Sequence, residues 1–568
     1  MNNKLSKILI GLVMLCITSC ANRQPATEQE SIKEEKSLGA LGQLWGFLKY
    51  HHPAVANGDY DWDMELMKRI PLVREAENDS IWKKLLDDWL DSLPPVMENP
   101  NKKLPDLEIK VKPDYGELFN DEYFFPETIE KIRYILDNAV ITTNHYVNMD
   151  REGQLSFTNE EPYADLLNPP EVSYRLLALF RFWNMINYFY PYRELCDQKW
   201  TEVLVEMIPE FVNVQDVEQY IFTCLKLVTK LVELIDISHL NLWGALTAPF
   251  ETQFIENKLT VTVFTGNDPN VIEKIETGDV ITSIDGEDVG DIVKRMLPYI
   301  PAPNDAVKLR NISSMILNGN SNTVSLVFQR DGKVFDVKIP RYDKRLLVVP
   351  DYLNPHPEKE GYMVLENNIG YVLPSNCKVE ERDTGIKKVL NGTKGVILDL
   401  RCKPNDDIYP SFAANLRLEQ APFYHNRQES RANISYPGYF FVSKKFQKNK
   451  DFKYRYTPKI VVIVNEFTQG LSEGLAIDFQ SFPNTVVIGS TTAAATDGNK
   501  VYYQLPGKID GMFTAAGKYY LDGSNFQRVG VKIDEIVKPT IAGIKAGRDE
   551  LLERAIEIIT NEETRVNR

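Results

Sequence analysis

The chain is poor in cysteine, in positive charge and in long apolar runs. Its six cysteines among 568 residues form no C-x-x-C pair, so neither a zinc ribbon nor a thioredoxin-type redox motif is written into it. Lys and Arg number 65 against 80 Asp and Glu, a formal charge of −15, which excludes a nucleic-acid-binding protein, whose footprint would be basic. No run approaches the roughly 20 apolar residues that a spanning helix needs. What is present is ordinary globular composition, 43% hydrophobic and 26% charged, which excludes a disordered or fibrous chain. At roughly 150 residues per domain, the length predicts three to four domains.

The amino terminus sets the compartment. Lys4 and Lys7 precede the apolar run Ile8 to Ile17, and the small residues Thr18 and Ser19 follow; this is a secretory signal over residues 1–19, too short to span a bilayer. Ile17-Thr18-Ser19-Cys20 resembles a bacterial lipobox. The resemblance implies acylation of Cys20 and a protein of the bacterial cell envelope, lipid-anchored and facing the periplasm or exposed at the surface. Residues 20–36, rich in Glu, Gln and Lys, read as a flexible tether. Cys196, Cys224, Cys377 and Cys402 are far apart in sequence and read as packed free thiols, with a disulfide the alternative that this compartment allows.

Self-comparison gives the domain plan. Trp45, Tyr50, Pro53, Trp62, Leu66, Ile70 and Pro71 recur as Trp183, Tyr188, Pro191, Trp200, Leu204, Ile208 and Pro209, all at one offset. The shared text is an aromatic-rich helix, a proline turn and a Trp-initiated helix, so residues 37–165 and 166–250 are expected to form a duplicated helical unit whose aromatic residues pack as core. Between the copies, Ala139 to Phe157 alternates around a polar turn and predicts a hairpin. Residues 251–342 change to short β-type segments. The apolar runs Gly395–Leu400, Ile460–Val464 and Val486–Gly489 have the composition of strands buried on both faces, so 343–568 is expected to be an α/β core with its site at the strands' carboxyl ends. The fold class is multidomain α+β.

Four blocks in the last part carry a family resemblance: GVILDLR (395–401), VVIVNEFTQGLSEGLA (461–476), VVIGSTTAAATDGN (486–499) and LDGSNFQRVGVKIDEIVKPT (521–540). Their order resembles the tail-specific, or C-terminal processing, serine peptidases, including the tricorn core proteases. The text Glu276 to Val289 resembles a PDZ signature, which implies uptake of an extended peptide as an added strand. No metal or cofactor is implied, and the partners implied are peptides or protein tails and, through Cys20, a membrane.

Serine acyl transfer needs a hydroxyl nucleophile, a base and backbone donors for the oxyanion. The resemblance implies His239 as the base and Ser238 as the residue orienting it, with Ile237 where relatives carry aspartate. The expected nucleophile falls in Thr468-Gln469-Gly470-Leu471-Ser472-Glu473, and its position is Gly470. Glycine has no atom that can attack a carbonyl. Where another branch has a catalytic lysine the chain has Ala495, with Lys500 five residues on. Ser472 is the nearby hydroxyl that could stand in, although two residues along a helix rotates it by roughly 200°. Its other reading is a first-turn residue, with Glu473 placed against the helix dipole. The N–H groups of Leu471 and of the Cys402 loop are the oxyanion candidates, with Pro404 offering no donor. Two readings result: a peptide-binding, catalytically impaired member of the family, or an active endopeptidase with a displaced nucleophile. A polysaccharide-binding lipoprotein would use the aromatic content, but no motif points to it. Replacing Gly470 by serine without strain requires φ below zero there.

Overall fold

The structure, a computed structural model, describes residues 28–163, 170–233, 241–347, 359–416, 427–444, 459–495 and 498–566. The signal segment with Cys20, and Ser238 with His239, lie outside them. Among the described residues no helix is long and apolar enough to cross a membrane.

Two stretches share one local arrangement. A long helix (Glu28–His51; Val172–Phe189) precedes a helix that begins at tryptophan (Trp62–Arg74; Trp200–Val212). Trp45 Nε1 donates to the Trp62 carbonyl and Trp62 Nε1 to the Trp45 carbonyl, both at 3.0 Å. Trp183 and Trp200 exchange the same pair at 2.7 and 2.9 Å. Each indole thus satisfies its one donor while its rings fill the core, which is the condition for burying Trp. A buried charge cluster ties the stretches together: Arg181 of the second meets Asp63 of the first at 2.5 Å and Glu160 at 2.8 Å, and Lys49 meets Glu160 at 2.7 Å. The hairpin between them forms as Val147–Met149 paired with Leu155–Phe157.

Residues 250–340 build an antiparallel sheet in the order 333–340, 323–330, 280–284, 258–264, 250–255. Two of its hairpins turn on two residues of positive φ, Glu256-Asn257 and Asp331-Gly332, the turn whose twist matches the strands. Helices Val289–Met296 and Asp305–Ser313 accompany the sheet.

The last part holds a six-stranded sheet, Tyr362–Leu365, Ile369–Val372, Gly395–Asp399, Lys459–Val464, Thr485–Gly489 and Glu535–Ile536 in that spatial order; the first strand runs antiparallel and the rest parallel. Alternation sorts its side chains. Val396, Leu398, Ile460, Val462 and Val464 face helices Arg382–Leu390, Tyr409–Leu416 and Leu471–Phe479. Ile397, Val461, Ile463 and Ile488 face the terminal helix Glu550–Val566. Both faces are covered, which is why these strands read as unbroken apolar runs. A second sheet, Ile109–Val111, Phe440–Lys444, Arg427–Ala432 and Ala516–Tyr520, joins a strand from the helical part to three from the last part. Phe440, Tyr503, Phe513 and Tyr519 accordingly belong to the helical part's core. None of Cys196, Cys224, Cys377 and Cys402 is in a disulfide.

Candidate active site

The parallel strands Gly395–Asp399 and Lys459–Val464 end side by side, and their following loops meet there, as expected where strand carboxyl ends open a crevice. The first is anchored by Asp399, fully buried. Tyr371 donates to it at 2.9 Å and Arg401 at 2.7 and 3.0 Å, while Arg401 also reaches Asp549 at 2.8 and 3.0 Å. Burial works against the Asp399 anion, yet the Arg401 guanidinium holds its carboxyl below the usual range.

The second strand leads through residues 465–470 to a corner at helix Leu471–Phe479, and the residue before that helix is Gly470, with φ 57° and ψ −115°. The condition for an unstrained serine, φ below zero, is therefore not met. The corner is closed by a Gly470 N–H bond to the Ala495 carbonyl at 3.1 Å.

Ser472 lies in the first turn of that helix. It is fully buried and its Oγ donates to the Cys402 carbonyl, so the oxygen is spent on pinning the Cys402 loop to the helix. Cys402 is likewise buried, its thiol pushed up to about 12 by burial, and it contributes an acceptor to Ser472. The Leu471 N–H, in the first helical turn, belongs to the donors without an intrahelical partner.

Glu473 is a buried anchor as well as a first-turn acid. Its carboxyl accepts from the Ala494 N–H at 2.7 Å, the Ala495 N–H at 3.1 Å and the Thr492 hydroxyl. Ala494 has φ 53°, a conformation that lets successive amides converge on an anion. Burial nevertheless pushes Glu473 up to about 8. Ala495, where another branch would place lysine, is part of this cradle.

A narrow cleft with room for about one water, about 10 Å³, lies at Gly470, lined by Arg427, Gly474, Ile477, Lys518, Tyr519 and Phe526. A Cβ on Gly474 would stand 2.2 Å from Arg427 Nη1, so glycine is what lets the guanidinium lie along the helix, 3.6 Å from Asp478. Lys518 pairs with Glu429 at 2.6 Å. Sequence reasoning missed Arg427, Lys518 and Tyr519, because they come from the second sheet and no local pattern marks them.

Two further contacts frame the cleft. Gln527, beside Phe526, is buried and donates to the Val232 carbonyl. The next residue, Glu233, accepts from Thr514 Oγ1 at 3.2 Å and is pushed up to about 7 by burial. The chain thus enters the stretch containing Ser238 and His239 from a point fixed beside one cleft wall. On another side, Arg310 of helix Asp305–Ser313 donates to the Glu466 carbonyl at 2.7 Å and to Gln469 at 3.1 Å, and Asn304 donates to the Thr492 and Ala493 carbonyls at 2.9 and 3.2 Å. The β-rich part therefore holds both loops that form the corner.

Residues 368–537 match the family model of Peptidase family S41. The fold is similar to that of mature CPAF, 12% identical, TM-score 0.51, covering 69% of this chain and 98% of that one. It is equally similar to mature CPAF complexed with lactacystin, 12% identical, TM-score 0.52, covering 70% and 99%. No curated protein sequence matches the chain.

Proposed function

Because residues 368–537 belong to peptidase family S41, a family of serine peptidases, we propose that this chain is a lipid-anchored envelope protein that binds extended peptides or protein tails and has lost turnover. The carrying observation is Gly470: the corner that would present the nucleophile is built, and it holds no hydroxyl. Ser472, buried and bonded to Cys402, argues against the active alternative.

The peptide-binding half rests on the β-rich part, which we read as a PDZ-like module. Beside helix Val289–Met296 lies a groove of about 500 Å³ whose lining includes the apolar Phe254, Leu259, Val280, Ile281, Val289 and Val293 along with polar residues such as Lys258 and Asp288, the apolar positions being suited to side chains of an added strand. His239, oriented by Ser238, remains the base position, and the N–H of Leu471 with the Cys402 loop remains the oxyanion position. The reciprocal Trp pairs support reading 37–165 and 166–250 as a duplicated helical unit. Anchoring through Cys20 rests on the lipobox text.

The test uses fluorescein-labelled unfolded casein. Anisotropy should rise on titration, a Val293→Asp variant should bind about tenfold more weakly, and the casein should be recovered intact. Fragmented casein would contradict lost turnover, and an unchanged anisotropy would contradict peptide binding.

A further inference from the structure

Glu233 is a buried carboxyl, 6% exposed, at the seam between the helical part and the last part. Its Oε2 accepts from Thr514 Oγ1 at 3.2 Å. Its Oε1 is buried without a hydrogen-bond partner, and so is the hydroxyl of Tyr190, which faces it. Thr514 ends the strand Ile509–Thr514, and Tyr190 follows helix Val172–Phe189 with its ring 6.1 Å from that of Phe513. One residue back, the Val232 carbonyl accepts from Gln527.

This seam lies at the root of the Gly470 cleft. Strand Ala516–Tyr520, which begins two residues after Thr514, supplies the lining residues Lys518 and Tyr519, and the lining residue Phe526 precedes Gln527. Whatever frees Glu233 from Thr514 therefore loosens the base of two lining segments.

An ionised carboxyl is poorly served in that seat. Lys500 stands opposite Thr514 in the hairpin but is exposed, and Arg528, near Cys196, is paired with Asp197. A buried charge without a cation against it costs far more than the neutral acid. The other titratable groups facing Glu233 stay neutral: burial pushes the Tyr190 hydroxyl well above its usual value and the Cys196 thiol up to about 12. Burial also raises Glu233, to about 7, against the pull of Thr514, Tyr190 and Lys500. We propose that Glu233 is a pH-sensitive tie: protonated, it sits between Tyr190 and Thr514 and holds the cleft's lining segments to the helical part; ionised, it leaves that seat and lets them loosen. The tie stands whether or not the cleft takes a peptide. The usual value of the group is 4.5. The seated carboxyl keeps a proton that a released one gives to solvent, so the tie is whole below about 4.5 and is lost as pH rises through about 7.

Hydrogen–deuterium exchange of the full mature chain, read by mass spectrometry from pH 5.5 to 8.5 and corrected for intrinsic rates, tests this. In the parent, the open population of residues 188–192 and 512–520 should rise roughly 30-fold across that range. Glu233→Gln keeps the shape and cannot ionise, and its rise should stay below about twofold. Glu473 is untouched by this change, so a rise that belongs to Glu473 would survive it. Thr514→Val removes a hydroxyl that favours the anion, so the midpoint of the rise should move to higher pH. A pH-independent parent, or an equal rise in Glu233→Gln, would overturn the proposal. Should that variant fail to fold, an unmoved midpoint in Thr514→Val would overturn it instead.

Discussion

At the scale of single residues, the corner at Gly470 separates building a site from arming it. The backbone there adopts φ 57° and ψ −115°, which glycine occupies freely and an L-residue does not. A Gly470→Ser variant should therefore lose on the order of 1–3 kcal/mol, read as a lower urea midpoint with unchanged slope. An unchanged midpoint would mean that the corner relaxes around a side chain. Glu473, three residues on, makes a pH prediction. Its usual value is 4.5 and burial raises it to about 8 in the fold. The folded state keeps a proton that the unfolded chain releases, so the contribution is full below about 4.5 and is lost as pH rises towards about 8. Glu473→Gln removes the titration and keeps an acceptor for the Ala494 N–H. The stability of the parent relative to this variant should fall between pH 5 and pH 8, measured by urea titration at both; a constant difference would mean that the amide donors keep the carboxylate ionised throughout.

At the scale of elements, the reciprocal tryptophan bonds explain why two short helical stretches carry so many identities. Each pair locks a long helix to the helix that follows it, and each ring is almost fully buried. Trp45→Ala and Trp183→Ala should each destabilise the protein by about 3–5 kcal/mol, with similar losses because the environments correspond. A variant that melts like the parent would remove that residue from the core. Helix Asp305–Ser313 is the other element with a role beyond its own sheet. Through Arg310 and Asn304 it grips the loops on both sides of Gly470, so the β-rich part and the corner share one set of contacts.

At the scale of the whole molecule, the central sheet was legible because its strands are covered on both faces and so are apolar without interruption. The place of Gly470 at the start of helix Leu471–Phe479 was legible in the neighbouring text. Two things were not. The second sheet assembles strands from residues 109–111 and 516–520, a pairing that no periodicity encodes, and with it come Arg427, Lys518 and Tyr519 of the cleft. The buried engagement of Ser472 was also hidden, since its acceptor is a backbone carbonyl seventy residues away. Anchoring adds a test at this scale: Cys20→Ala should abolish incorporation of labelled fatty acid, and undiminished labelling would refute the lipobox reading. The central claim, a finished corner without a nucleophile, is tested most directly by the intact mass of the mature protein after exposure to a fluorophosphonate, which bonds covalently only to activated serines. The account predicts an unchanged mass; a single stoichiometric adduct, mapped to Ser472 or to any other serine of the cleft, would contradict it.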